Sequence, residues 1–371
     1  MAVGSSAPSA AEERISVASN WTLVWWRFRK HRLALASAAV LIVLYAIVLC
    51  PDFFSTQDPE LTEARLAFMP VQRLHLFDGG GFRPWVPAVV GKRNPITLRM
   101  EWTTDPGRAV GVGFFVRGHS YRVLGVIPAN LHLLGAIGGG ARAHLLGTDR
   151  LGRDQWSRLM HGTQTSMTIG LVAVTLSVVF GVLLGGVSGY VGGLPDLTIQ
   201  RLIELLQSLP TIPIWLALTA ALPRDWSPLR VFFAITVILA LVGWTTLGRE
   251  VRGRFLALRE EDFVLAAELA GCSRARIIGR HMVPTFLSHI IATTTLAIPA
   301  MIINETSLSF LGLGIRPPAI SWGVLLQEAQ NIQTLALAPW LLVPGLMVIV
   351  SVLAFNLVGD GLRDAADPYS H

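Results

Sequence analysis

TSMTIGLVAVTLSVVFGVLLGGVSGY, residues 165–190, contains no charged side chain. A helix of about 20 apolar residues crosses roughly 30 Å of hydrocarbon. A backbone without water must close its own hydrogen bonds, so the stretch reads as a membrane-spanning helix. Within it Ser177, Gly181, Gly185 and Gly189 recur every four residues. Such a row of small side chains lets another helix approach closely and predicts a packed face that does not line a pore.

Five more apolar runs accompany it, at Leu33 to Cys50, Leu202 to Leu222, Val231 to Leu247, Thr285 to Ile303 and Leu335 to Val358. The predicted fold class is an all-α membrane protein with six transmembrane helices. Composition agrees, since 371 residues at 52% hydrophobic and 15% charged, with a mean hydropathy of +0.54, are too apolar for a soluble globule. A net charge of +6 suggests nucleic acid only in a soluble chain; beside membrane spans the same arginines are topology signals. RFRKHR before the first run raises the alternative of a cleaved signal peptide, but the run is long and Pro51-Asp52 follows it where a small-residue cleavage site would stand.

Arg27, Arg29, Lys30 and Arg32 precede the first span, whereas Asp52, Asp58, Glu60 and Glu63 follow it. This bias predicts a cytoplasmic N-terminus, and six spans return the C-terminus to the cytoplasm. Seven arginines between Gly248 and Val283 (249, 252, 254, 259, 274, 276 and 280) fall on the same side. Trp21, Trp25 and Phe28, at i, i+4 and i+7, form an aromatic face suited to the membrane interface.

The expected organisation is a cytoplasmic or interfacial segment at 1–32, a first span at 33–51, an extracytoplasmic insertion at 52–162, a core at 163–360 with a basic loop at 248–284, and a cytoplasmic tail at 361–371. ITLRMEW and FFVRGHSYRVLGVIP in the insertion have strand composition, predicting a small β-containing domain between the first two spans.

The chain shows no phosphate-binding GxxxxGK[ST], no HExxH and no CxxC. Cys50 and Cys272 are the only cysteines and the nine histidines lack ligand spacing, so neither a catalytic centre nor a metal site is expected. Such a transporter is driven either by its own intramembrane charges or by a nucleotide-hydrolysing partner. Polar candidates for the path or gate are Glu204 and Gln207 near the start of the third span, and Asn304 and Glu305 at the outer end of the fifth. Arg201 stands three residues before Glu204, so an intrahelical ion pair competes with a path-lining role. Pro210 and Pro213 predict a kink just beyond.

LAAELAGCSRARIIGRHMVP, residues 265–284, is a basic insert between two apolar runs. Ala266 and Ala267 permit tight packing, Gly271 a left-handed turn and Ser273 a helix cap, while Ala275, Ile278 and Met282 form an apolar edge. The stretch resembles the cytoplasmic loop of permease subunits in binding-protein-dependent ATP-binding-cassette importers, with Ala266, Ala267, Gly271, His281 and Pro284 at the family's spacing and Leu265 where it carries glutamate. The resemblance implies that Ala266, Ala267, Gly271, Ser273, Arg274, Arg276 and Pro284 form a coupling helix gripped by the ATPase. HLLGTDRLGRDQWSRLMHGTQTS at 144–166, ETSLSFLGLGIRPPAISWGVLLQEA at 305–329 and FNLVGDGLRDAADP at 355–368 are similar to the C-type permease of dipeptide, oligopeptide and nickel importers. The implied function is a plasma-membrane permease importing peptide-like solutes. Its partners would be a homologous permease, two ATP-binding subunits or one fused pair carrying ATP and Mg, and an extracytoplasmic solute-binding protein; no cofactor is expected on this chain. Oligosaccharide or glycoside import is the alternative within the class, and an ion-coupled secondary carrier or a structural membrane protein the alternatives outside it.

Overall fold

The computed structural model describes residues 20–78, 81–96, 100–138, 142–223 and 225–366. Helix α1 (Asn20–Phe28) leads into α2 (Arg32–Leu49), whose start is capped by His31 Nδ1 accepting from Ala34 N at 3.2 Å. Trp25 and Phe28 of the predicted aromatic face stack at 6.1 Å, and the Trp21 side chain lies outside the described set.

A four-stranded antiparallel sheet follows, in the order β1 (His75–Asp78), β2 (Gly81–Arg93), β3 (Met100–Val123) and β4 (Ile127–Ile137). The β-containing insertion expected from the sequence is therefore present. Its second strand-like run is not one strand: it turns at Leu124, where the chain takes positive φ. In ITLRMEW only Met100 to Trp102 lie in β3, and residues 97–99 are outside the described set.

The helical layer continues with α3 (Gln155–Val191), α4 (Gly193–Ser208), α5 (Thr211–Ala220), α6 (Pro228–Leu258), α7 (Asp262–Leu269), α8 (Leu287–Phe310), α9 (Trp322–Gln327) and α10 (Val343–Ala366). Among the described residues five helical runs are long and apolar enough to cross a membrane, or six if the bent pair α4–α5 counts as one. α3 starts at Gln155, eight residues inside the segment assigned to the insertion, because Asp154 accepts from Ser157 N and caps it.

The run expected over Leu202 to Leu222, with a kink at its prolines, is two helices meeting at 90°. Pro210 disfavours helical backbone at the residue before it, and Leu209 accordingly sits extended at φ −95°, ψ 141°. Pro213 then falls in the first turn of α5, where a missing N–H is tolerated. The run expected over Leu335 to Val358 is not one helix, since Ala338 at φ −140° and Pro339 separate the short helix Ile332–Leu337 from α10.

α3 and α6 pack side by side along the predicted small-residue row. A Cβ on Gly181 would meet Leu247 at 3.1 Å, on Gly185 the Gly248 carbonyl at 2.4 Å, and on Gly189 the Arg252 carbonyl at 2.7 Å. Rising numbers on α3 meet rising numbers on α6, so the two helices run parallel. Gly170 meets Ile302 and Ile298 of α8, which runs opposite, and Gly361 of α10 meets Ala34 of α2. The core between these helices is lined by Met167, Ile169, Ala173, Leu239, Ile302 and Trp322.

Candidate functional site

Beyond α6 the chain makes a compact helical loop. α7 ends at Leu269 with Ala270 as its cap, and Gly271 at φ +75° turns the chain, with its N–H bonded to Glu268 O at 2.9 Å and that of Cys272 to Ala267 O at 3.1 Å. These bonds close the last orphan carbonyls of α7. Ser273 Oγ accepts from Arg276 N at 3.4 Å and caps the next turn. The run then widens to a π-helix at Ile277–Met282 and tightens to a 3-10 turn at Val283–Phe286, containing Pro284, before α8.

One side of this loop is core. Val264, Ala267, Ile277, Met282 and Phe286 bury against Leu247, Val251 and Phe255 of α6 and Ile290 of α8. Phe255 and Phe286 meet edge to face at 5.6 Å. Tyr190 at the end of α3 donates to Glu268 at 2.6 Å. The other side is open: Ala266, Gly271, Arg274, Arg276 and Pro284 are exposed, and Leu265 and Leu269 are 45% and 90% exposed. Of the anticipated apolar edge Met282 is buried and Ile278 half-buried, but Ala275 faces outward because the π segment rotates the face. Thus Ala267 and Ser273 hold the loop's shape, and Ala266, Gly271, Arg274, Arg276 and Pro284 lie on its surface.

The gate candidates separate. Glu204 pairs with Arg201 at 2.7 Å on an exposed surface, the intrahelical alternative. Gln207 Nε2 donates to Thr245 Oγ1 of α6 at 3.2 Å, and Asn304 is half-buried. Glu305 is fully buried, accepting from Ser166 Oγ of α3 and from Ser309 Oγ, both at 2.8 Å. Ser166 Oγ also accepts from Trp322 N at 3.1 Å, and Ser309 Oγ from Ile315 N at 3.0 Å. Glu305 is therefore the centre of a knot joining α3, α8, α9 and the loop after α8.

Two charged clusters escaped the sequence reading. Asp196 of α4 takes a bidentate pair from Arg252 of α6 at 2.6 and 2.7 Å and a bond from Ser188 of α3. Arg153 bridges Asp149 at 2.6 Å and Glu328 at 2.9 Å beside Arg158, which is 2% exposed. Burial and the nearby Asp149 push Glu328 upward, against the pull of Arg158 and Arg153. The i, i+4 spacing of Asp149 and Arg153 was a usable signal; pairs 56 and 175 positions apart carry none.

The insertion is held at its base. Thr56 N donates to Ser157 Oγ and Thr56 Oγ1 to Asp154, each at 3.1 Å. His132 Nδ1 lies 2.7 Å from Asp52 O. The imidazoles of His119 and His161, 3.7 and 3.4 Å from Asp52 Oδ1, hold that carboxyl well below the usual carboxylate range.

Residues 177–369 match the family described as binding-protein-dependent transport system inner membrane component, and residues 19–70 the N-terminal TM domain of oligopeptide transport permease C. The chain is 35% identical to the oligopeptide transport system permease protein OppC of Bacillus subtilis over 62% of its length and 72% of the relative's. It is 38% identical to the dipeptide transport system permease protein DppC of Alkalihalophilus pseudofirmus, over 62% and 73%. With OppC of Haemophilus influenzae it shares 36% identity over 61% and 70%.

Proposed function

The chain belongs to the family of binding-protein-dependent transport system inner membrane components, and on that premise we propose that it is the permease subunit of an ATP-driven importer of di- and oligopeptides. The observation that carries the coupling role is the two-sided loop at 262–286. Its inner half is core of α6 and α8, so it moves with the spanning helices, while Leu265 and Leu269 stand out as apolar surface for a partner. An ATPase subunit that closes on this surface transmits its closure to the bundle. Nucleotide hydrolysis, with ATP and Mg, is assigned to two such subunits or one fused pair, beside a homologous permease and an extracytoplasmic solute-binding protein.

Six crossings are part of the proposal. α3 and α6 run parallel, so the chain must recross the bilayer between them, and α4 and α5 are the helices available to do so. α2 ends beside the start of α3, since Gln164 Nε2 donates to Val48 O at 3.0 Å. The start of α2 and the end of α6 therefore share a side. Both carry the arginine clusters, which supports cytoplasmic termini and an extracytoplasmic insertion over the outer mouth.

The test is Leu269→Glu, a change at a side chain 90% exposed and outside the core. The expected result is loss of ATPase-subunit recovery with the permease, and of ATP-dependent peptide uptake, at unchanged membrane insertion. Normal recovery with normal uptake, or uptake driven by an ion gradient without ATP, overturns the proposal.

A further inference from the structure

We propose that the turn between β3 and β4 is a membrane-contacting tip seated among phospholipid headgroups beside the first spanning helix. The turn runs Leu124-Gly125-Val126 and is closed by Gly125 N to Arg122 O at 3.2 Å and Val126 N to Val123 O at 3.1 Å. Water-facing hairpin turns that need positive φ use Asn, Asp or Gly. Here a leucine takes φ +50° ahead of Gly125 at +74°, a conformation that is strained for a bulky side chain. Leu124, Val126 and Ile127 are 70%, 78% and 62% exposed, an apolar cap on the most protruding part of the hairpin.

Its position identifies the occupant. A cleft lined by Leu49, Cys50, Asp52, Arg122, Leu124 and Gln164 sets the turn against the end of α2 and the start of the uncharged stretch of α3. The Gln164 to Val48 bond levels those two helices, so Leu49 and Gln164 mark the edge of the hydrocarbon. Leu49, Val43 and Ile42 are 56%, 56% and 70% exposed, forming the outward belt of α2 that the tip continues. Exposed Arg122 beside Tyr121 adds a cation and an amphipathic ring at that level, a combination that suits lipid phosphates and the interface. The inference rests on α2 and α3 crossing the bilayer.

The experiment uses the full-length chain in phosphatidylcholine–phosphatidylglycerol nanodiscs, with Cys50→Ser and Cys272→Ser removing the native thiols. An environment-sensitive fluorophore is attached in turn at Val126→Cys, Val43→Cys and Ile96→Cys, all exposed positions. At Val126, spin labels near the headgroup end of the acyl chain should remove roughly half of the emission or more, whereas deep labels and aqueous iodide do little. The Val43 label should respond to deep spin labels and the Ile96 label to iodide alone. A Val126 label quenched by iodide like Ile96, while Val43 responds to lipid, overturns the tip and leaves the spanning reading intact. Protection of Val126 from both quenchers means a protein covers the turn and also overturns it. A Val43 label untouched by lipid quenchers removes the premise and the proposal with it.

Discussion

Glu305 of α8 and Ser166 of α3 are joined by a 2.8 Å hydrogen bond in a site closed to solvent. The same carboxylate holds Ser309, and the two serines in turn hold the backbone of Trp322 and Ile315. A polar knot of this kind sets the relative position of two spanning helices and the segments after α8. Glu305→Ala strips the acceptor from two buried hydroxyls, costing about 1–3 kcal/mol. Glu305→Gln keeps one carbonyl acceptor and lets the amide donate to the other hydroxyl, so it should stay close to wild type. Thermal unfolding of the reconstituted protein checks the order; equal melting for Ala and wild type refutes it.

Gly271 at φ +75° has open space where a Cβ would stand, so substitution there acts through backbone conformation alone. Gly271→Val should add about 1–3 kcal/mol of strain and tilt α7 away from its seat. Gly271→Asn, which tolerates the left-handed region, should be mild. Peptide uptake per ATP hydrolysed is the readout, with Val expected to fail and Asn to retain coupling. Equal coupling in both variants would dismiss the joint.

Gly185 faces the Gly248 carbonyl so closely that an added Cβ would lie 2.4 Å from it. Backbone cannot yield as a side-chain end can, so Gly185→Ala should separate α3 from α6 and destabilise by about 1–3 kcal/mol. Gly253→Ala, with nothing within 4 Å, is the matched control and should be neutral or better. Unfolding midpoints that do not distinguish the two would argue against close packing along this row.

Asp52 gives a pH dependence with a defined sign. Its folded pKa lies below the unfolded value near 3.9, so its hold on the insertion is complete above about pH 4 and is lost as pH falls below that. Pepsin cleavage within β3 and β4 should accelerate on going from about pH 5 to about pH 3. Asp52→Asn should already be cut faster at the higher pH and show a flatter profile. Parallel profiles for the two proteins would mean that Asp52 does not fasten the sheet.

Much of the bundle was legible because spanning helices announce themselves by uncharged length, and the Ser177 to Gly189 row by its period. The elbow at Leu209-Pro210 was visible as a kink but not as a right angle: proline forbids the helix locally, and tertiary packing chooses the direction that follows. Gly271 and Ser273 were readable because a turn and a cap are local chemistry. Ala275 was misjudged because a π-helix shifts the face of everything around it, and no periodicity reveals one extra residue per turn. Arg252, which pairs with Asp196, and Ser166, which bonds Glu305, lie across the fold, where a single sequence has no register to offer.

The clasp of Thr56 on Asp154 and Ser157 brings the two feet of the insertion together on the cap of α3. Closure of the excursion is thus completed at the bundle and is indifferent to how much chain lies between, since loop entropy grows only slowly with length. The family matches end at residue 70 and resume at 177, on either side of this segment. Structurally the clasp is a graft point: a sheet of another size or sequence set on the same feet would leave the helices where they are.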